Sequence, residues 1–144
     1  MRKLVLIFPI FILFVAACSD DIDSKINGMW QLKTVEENGT ISNVDTVFFG
    51  IQGGAVFSFT LLMPNDPLIE SIQSYGYASF PSENEMMISM DTSKFENGYF
   101  INISGDFLKY SGWDKYCMTF DVKQIDSKYL VISERNRTYS FNRH

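Results

Sequence analysis

Enzymes and metal proteins need groups that titrate, attack or donate electron pairs, and this chain carries few. Its one histidine is His144, the last residue, and its cysteines are Cys18 and Cys117. A Ser–His–Asp or Cys–His relay needs an imidazole held beside its nucleophile; a terminal histidine is expected to fray. Two distant cysteines and one terminal histidine do not compose the four-ligand set of a transition metal such as zinc. Cys117 falls on the polar side of an alternating stretch, with only Lys115 near it in sequence to lower its pKa. It reads as a small strand residue. Glu83 and Glu85 flank the start of a strand-like run, and Asp20, Asp21 and Asp23 crowd the N-terminal region. Nothing in the sequence sets any of these pairs across a glycosidase-type cleft, which is about 5 to 10 Å wide. Gly53-Gly54 joins two alternating runs, so it makes a hairpin turn rather than a phosphate cradle. The expectation is no enzyme, no cofactor and no metal site.

Cys18 points elsewhere. Met1-Arg2-Lys3 is basic, Leu4 to Ala17 is apolar and only 14 residues long, and Val15-Ala16-Ala17 places small residues ahead of the cysteine. A bilayer crossing takes roughly 20 residues, so the run has the dimensions of a secretory signal peptide. Val15-Ala16-Ala17-Cys18 resembles the bacterial lipobox, which implies cleavage before Cys18 and a lipid on its thiol. One acyl chain holds a protein only marginally, at about 0.8 kcal/mol per buried methylene; the two or three chains of a mature lipoprotein hold it firmly. Membrane contact through lipid on Cys18 is therefore expected. Ser19-Asp20-Asp21-Ile22-Asp23 is similar to the acidic signal that carries lipoproteins of Bacteroides-type bacteria to the outer face of the outer membrane, and also reads as a solvated tether. The resulting organisation is signal peptide over 1–17, lipidated cysteine and tether over 18–26, and one domain over 27–144.

Removing residues 1–17 leaves 127 residues, enough for one domain with a substantial core. Taking Arg2 and Lys3 from 12 basic residues leaves 10 against 17 acids, a formal charge of −7. Phosphate contacts need clustered Lys and Arg, and no basic stripe is present, so no nucleic-acid partner is expected. With Cys18 lipidated, Cys117 has no intramolecular partner, and the fold must stand without a disulfide.

From Asn27 onward the chain reads as short period-two runs separated by turn residues. Ala55, Phe57, Phe59 and Leu61 share one face; Tyr116, Met118, Phe120 and Val122 share another, opposite Lys115, Cys117, Thr119, Asp121 and Lys123. That period belongs to strands with one buried face. Strands are expected near 29–36, 45–52, 55–62, 75–80, 85–90, 99–103, 115–125, 129–133 and 137–142. Turns fall at Asn38-Gly39, Gly53-Gly54, Pro81-Ser82, Asn97-Gly98, Asp126-Ser127 and Arg135-Asn136. Asp66-Pro67-Leu68-Ile69-Glu70-Ser71-Ile72 has a capping acid, an N1 proline and an apolar stripe, so one short helix is expected there, packed on a rim. The fold class is all-β, a small antiparallel barrel of about 8–9 strands. A barrel of about eight strands encloses a space that side chains just fill, or that holds one small ligand.

Gly28-Met29-Trp30 opens the first strand as the Gly-x-Trp signature opens that of lipocalins. Asn27 to Leu32, Val44 to Phe48, Tyr75 to Pro81, Ser111-Gly112-Trp113 and Tyr139-Ser140-Phe141 together resemble the lipocalin-like lipoproteins of Bacteroides-type bacteria. The resemblance spans Asn27 to Arg143. It implies a small barrel, an anchored envelope location, and a tryptophan plugging the closed end beneath an arginine, for which Arg137 and Arg143 are the candidates. The chain lacks a clear second signature and a long C-terminal helix. Asp45-Thr46-Val47 is similar to an O-glycosylation acceptor tripeptide of the same bacteria.

Two functions remain open. In the first, inward side chains line a lumen for a small hydrophobic ligand, with Trp30, Phe49, Phe57, Phe59, Met86, Tyr116, Met118, Phe120 and Tyr139 as its binding residues. In the second, bulky side chains fill the barrel, and the protein is a structural partner within an envelope complex. Trp113, with Phe107, Leu108 and Tyr110 nearby, either grips a sugar or a partner or folds back to seal the barrel end; sealing is the expectation.

Overall fold

A computed structural model describes residues 22–91, 96–97, 100–101 and 107–144. The signal segment, Cys18, Asp20, Asp21 and Gly98 lie outside them. Strands β1 (Gly28–Glu37), β2 (Thr40–Asn43), β3 (Val47–Gln52), β4 (Val56–Leu62), β5 (Ser71–Ser82) and β6 (Glu85–Met90) run in succession. Two-residue strands β7 (Glu96–Asn97) and β8 (Phe100–Ile101) and a helical turn, α2 (Phe107–Ser111), fill the connection to β9 (Cys117–Ile125). The chain ends with β10 (Tyr129–Glu134) and β11 (Arg137–Arg143), and begins with α1 (Ile22–Ile26).

Eight strands close into an antiparallel meander, β1-β3-β4-β5-β6-β9-β10-β11, and β11 returns to β1 from Trp30↔Arg143 to Glu37↔Arg137. β2 is an extra strand, paired with β1 over Thr34–Glu37. Closure leaves few free edges, the liability of an open sheet. The expected all-β barrel is therefore the observed one. Its strands alternate as the sequence dictates: in β9, Met118, Phe120 and Val122 are buried while Cys117, Thr119 and Asp121 are exposed.

The interior is aromatic. Phe49 lies 4.7 Å from Phe141 and 5.0 Å from Phe57 between ring centroids, the latter edge-on. Met86, Ile88, Leu130 and Ile132 complete the packing, all fully buried. Burying each such side chain is worth about 1.5–3 kcal/mol. β5 supplies the small residues, Ser74, Gly76 and Ala78, that leave room for these rings. A Cβ at Gly76 would run into the carbonyl of Ser89 on the neighbouring strand.

Five expectations change. His144, expected to fray, is held: its backbone N–H donates to Met29 O at 2.9 Å and its ring stands edge-on to Phe48 at 5.1 Å. Pro81-Ser82, expected as a turn, ends β5, and the turn falls on residues 83–84. No helix forms over 66–72. The Asp66 carboxylate accepts from the backbone N–H of Leu68 and Ile69, a local turn, and Leu68 is 90% exposed. Ser71 and Ile72 already belong to the β4–β5 ladder, which runs from Leu62↔Ser71, so the backbone has no groups to spare for a helix. The short helix of the connections is α2 instead. The tether expected to reach Ile26 ends earlier: α1 covers 22–26, with Ile26 fully buried and Ile22 packed on the core. Asn97, expected in a turn, pairs with Phe100 in β7–β8; of the strand expected over 99–103, only 100–101 falls within the described residues.

Candidate functional site

The two ends of the barrel differ. At one end Trp30 is fully buried and its indole Nε1 donates to Ile26 O at 2.7 Å. Arg143 lies over the ring, 4.2 Å from its centroid. Its Nε donates to Ser127 O (2.9 Å), Nη1 to Asn27 O (2.6 Å) and Nη2 to Lys25 O (2.7 Å). Gly28 has φ +126, and a Cβ there would stand 2.7 Å from Arg143 Nη1. Glycine thus serves both the backbone conformation and the guanidinium. Of the two candidate arginines, Arg143 covers the tryptophan. This end is shut.

The other end is partly closed by α2 and Trp113. Phe107 of α2 is fully buried and Trp113 is 4% exposed. Trp113 meets Phe107 at 5.0 Å, Phe120 at 5.4 Å, Phe49 at 5.9 Å and Phe57 at 6.2 Å, the last nearly parallel at 29°. Gly112, at φ +71, ends α2 in the left-handed conformation and turns Trp113 inward. The aromatic loop is a plug, as expected.

The plug does not fill the barrel. Between it and β1, β3, β4 and β11 lies a cavity of about 310 Å³, lined by Leu32, Val35, Glu37, Val44, Val47, Phe49, Phe59, Ser111, Gly112, Trp113, Arg137 and Tyr139. Its walls are apolar and its polar groups cluster on β1, β11 and the plug. Arg137 ties these together: Nε donates to Glu37 Oε1 at 3.2 Å, Nη1 donates to Gly112 O at 2.9 Å, and Asp114 Oδ2 stands 4.0 Å from Nη1. Glu37 and Tyr139 hold the Arg137 pKa above its ordinary value. Burial raises the Tyr139 phenol, and hydrogen bonding from Arg137 offsets this only in part. Tyr139 is thus a neutral hydroxyl at the wall.

Of the residues expected to bind ligand, Phe49, Phe59 and Tyr139 line this cavity. Phe57, Met86, Met118 and Phe120 are buried in the packed interior and Trp30 at the shut end, while Tyr116 is half-buried, 6.2 Å from Phe107. Leu32 and Val47 line it as well. Val35, Glu37, Val44, Ser111, Gly112, Trp113 and Arg137 were not among the expected binding residues. For Val35 and Glu37 the reason is a bulge: the β1–β11 register shifts between Leu32 and Thr34. A bulge re-aims the side chains beyond it, so inward positions pass from Trp30 and Leu32 to Val35 and Glu37. Cys117 is exposed on the outer face, and Thr46 is half-buried between β2 and β3.

Barrels of about eight strands are either filled by side chains or leave room for one small molecule; this one is shut at one end and keeps a small, mostly apolar cavity toward the other. A family profile described as a lipocalin-like domain matches residues 12–144, and the chain belongs to that family. Two solved structures share the fold. A lipocalin-like protein from Bacteroides uniformis ATCC 8492 aligns at 21% identity and a TM-score of 0.67, over 83% of this chain and 99% of that one. An uncharacterized protein from Bacteroides eggerthii DSM 20697 aligns at 21% identity and a TM-score of 0.64, with the same coverage. No match was found among the curated proteins.

Proposed function

We propose that this is a lipid-anchored envelope protein whose barrel binds one small hydrophobic molecule, without catalysing its conversion and without a nucleic-acid partner. The observation that carries the reading is the cavity of about 310 Å³ between β1, β3, β4 and β11 and the Trp113 plug. Ligand sites run from about 300 to 1,000 Å³, so the cavity fits a compact molecule. Phe49, Phe59 and Tyr139 are the contacts retained from the sequence. Lipid on Cys18 would hold the protein at the outer membrane, and the acidic run after it favours the cell surface. α1 supports this arrangement: it packs the residues just after the tether against the shut end, so the cavity lies toward the end away from the anchor.

Solvent extraction of the purified native protein, followed by mass spectrometry, should release a small molecule; an empty extract with no binding across a neutral lipid panel opposes the reading. Radioactive palmitate should label the protein and fail to label Cys18→Ala. Protease shaving of intact cells should remove it, and protection would place it inside.

One observation favours a second reading. Phe107 and Trp113 fill much of the lumen, as a structural partner in an envelope complex would need. In that case crosslinking in cells would capture a constant protein neighbour and extraction would yield nothing.

A further inference from the structure

We infer that the cavity selects uncharged or cationic molecules and rejects anions, because its one guanidinium is already neutralised from within the chain. The inference rests on the ligand-binding reading above and narrows its ligand class. Arg137 is the cationic side chain that lines the cavity, and an arginine in an apolar pocket would ordinarily invite a carboxylate or phosphate in a bidentate grip. Here Nε and Nη1 already have acceptors within the chain. Glu37 accepts from Nε at 3.2 Å, the Gly112 carbonyl accepts from Nη1 at 2.9 Å, and Asp114 stands 4.0 Å from the same nitrogen. Two carboxylates thus face one guanidinium, and the mouth is locally negative. An entering carboxylate would compete with Glu37 for the guanidinium and would stand close to the charges of Glu37 and Asp114. It would also break the bond that holds Gly112, and with it Trp113, against β11. An alcohol meets none of these costs, since its hydroxyl can use the neutral Tyr139 phenol without disturbing the pair. An ammonium gains from the two carboxylates. Glu37 is therefore a specificity residue: the β1 bulge turns it to the rim of the cavity, where its side chain is still 46% exposed, and its part is to occupy the arginine.

The test uses the full chain reconstituted in phospholipid nanodiscs, with empty nanodiscs subtracted. Phenylbutyrate, phenylbutanol and phenylbutylamine share one apolar body and differ in head charge at neutral pH. Calorimetric titration should give a Kd for the acid at least tenfold weaker than for the alcohol, and an amine at least as tight as the alcohol. Glu37→Gln should shrink the acid-to-alcohol ratio at least threefold. Asp114→Asn, which leaves β1 untouched, should shift the ratio the same way. An acid that binds the native protein as tightly as the alcohol overturns the inference and leaves the ligand-binding reading standing. A ratio unmoved by either variant overturns the role given to the two carboxylates. Binding of none of the three overturns the ligand-binding reading, and the selectivity with it.

Discussion

Replacing Arg143 by methionine removes the clamp that joins the last strand, the first strand and α1 while keeping an apolar cover over Trp30. Its guanidinium gives three charge-assisted hydrogen bonds, to the carbonyls of Lys25, Asn27 and Ser127, and one cation–π contact at 4.2 Å. Hydrogen bonds to charged groups are worth about 1.5–3 kcal/mol each, but these three lie at the exposed rim, where water replaces the lost donor. Discounting each to about 1 kcal/mol and adding about 0.5–1 kcal/mol for the exposed cation–π contact gives a loss of about 3.5 to 4 kcal/mol. In urea, with a slope near 2 kcal/mol per molar, the midpoint should fall by about 1.8 to 2 M. Arg143→Lys should recover less than half of that, since an ammonium cannot span three carbonyls at fixed fork geometry. Trypsin should also cut faster after Lys25, whose carbonyl Arg143 holds. A midpoint lowered by less than about 0.3 M in Arg143→Met, a shift worth well under 1 kcal/mol, would refute the reasoning, as would full recovery in Arg143→Lys.

Other perturbations test separate parts of the account. Trp113→Ala should cost about 3–5 kcal/mol in urea unfolding and enlarge the cavity, so that it takes up a neutral dye the native protein excludes. Ser74 is fully buried and its hydroxyl has no partner among the described residues; Ser74→Ala should leave stability unchanged or raise it by about 1 kcal/mol, because an unsatisfied buried donor is removed. Asp126 has its pKa lowered by hydrogen bonds from Gln124 and the backbone N–H groups of Lys128 and Tyr129. A depressed carboxylate contributes stability that is full above its ordinary value of 3.8 and is lost as pH falls through the folded value. Asp126→Ala should therefore lose less stability than the native protein on acidification below pH 4, measured by urea midpoints across that range.

Most of the barrel was legible because period-two alternation is a direct image of one buried face. β6 was bounded at Glu85–Met90 from sequence alone, and the aromatic rows of β4 and β9 named their own core residues. The failures have local causes. Asp66-Pro67 carries helix-start chemistry, but an Asx turn uses the same carboxylate, and the β4–β5 ladder claimed the residues that would have extended the helix. α1 looked like tether because Asp23, Ser24 and Lys25 are polar; its order comes from Ile26 and from Arg143, 118 residues away in sequence. The site was the least legible part. A bulge leaves no mark in composition, so nothing in the sequence singled out Val35 or Glu37. The pairing of Arg137 with Glu37 across the barrel seam exists only after β11 meets β1. Alternation does tell which face is inward, but not which inward residues border empty space; that depends on how far the Trp113 plug descends.

The most direct test of the central claim is a chemical-shift map of the protein in nanodiscs during titration with phenylbutanol. The account predicts saturable shifts at Val35, Phe49, Phe59, Tyr139 and the Trp113 indole, with the Trp30 indole unmoved at the shut end. Shifts confined to the outer face of the barrel, or none at saturating ligand, would contradict it.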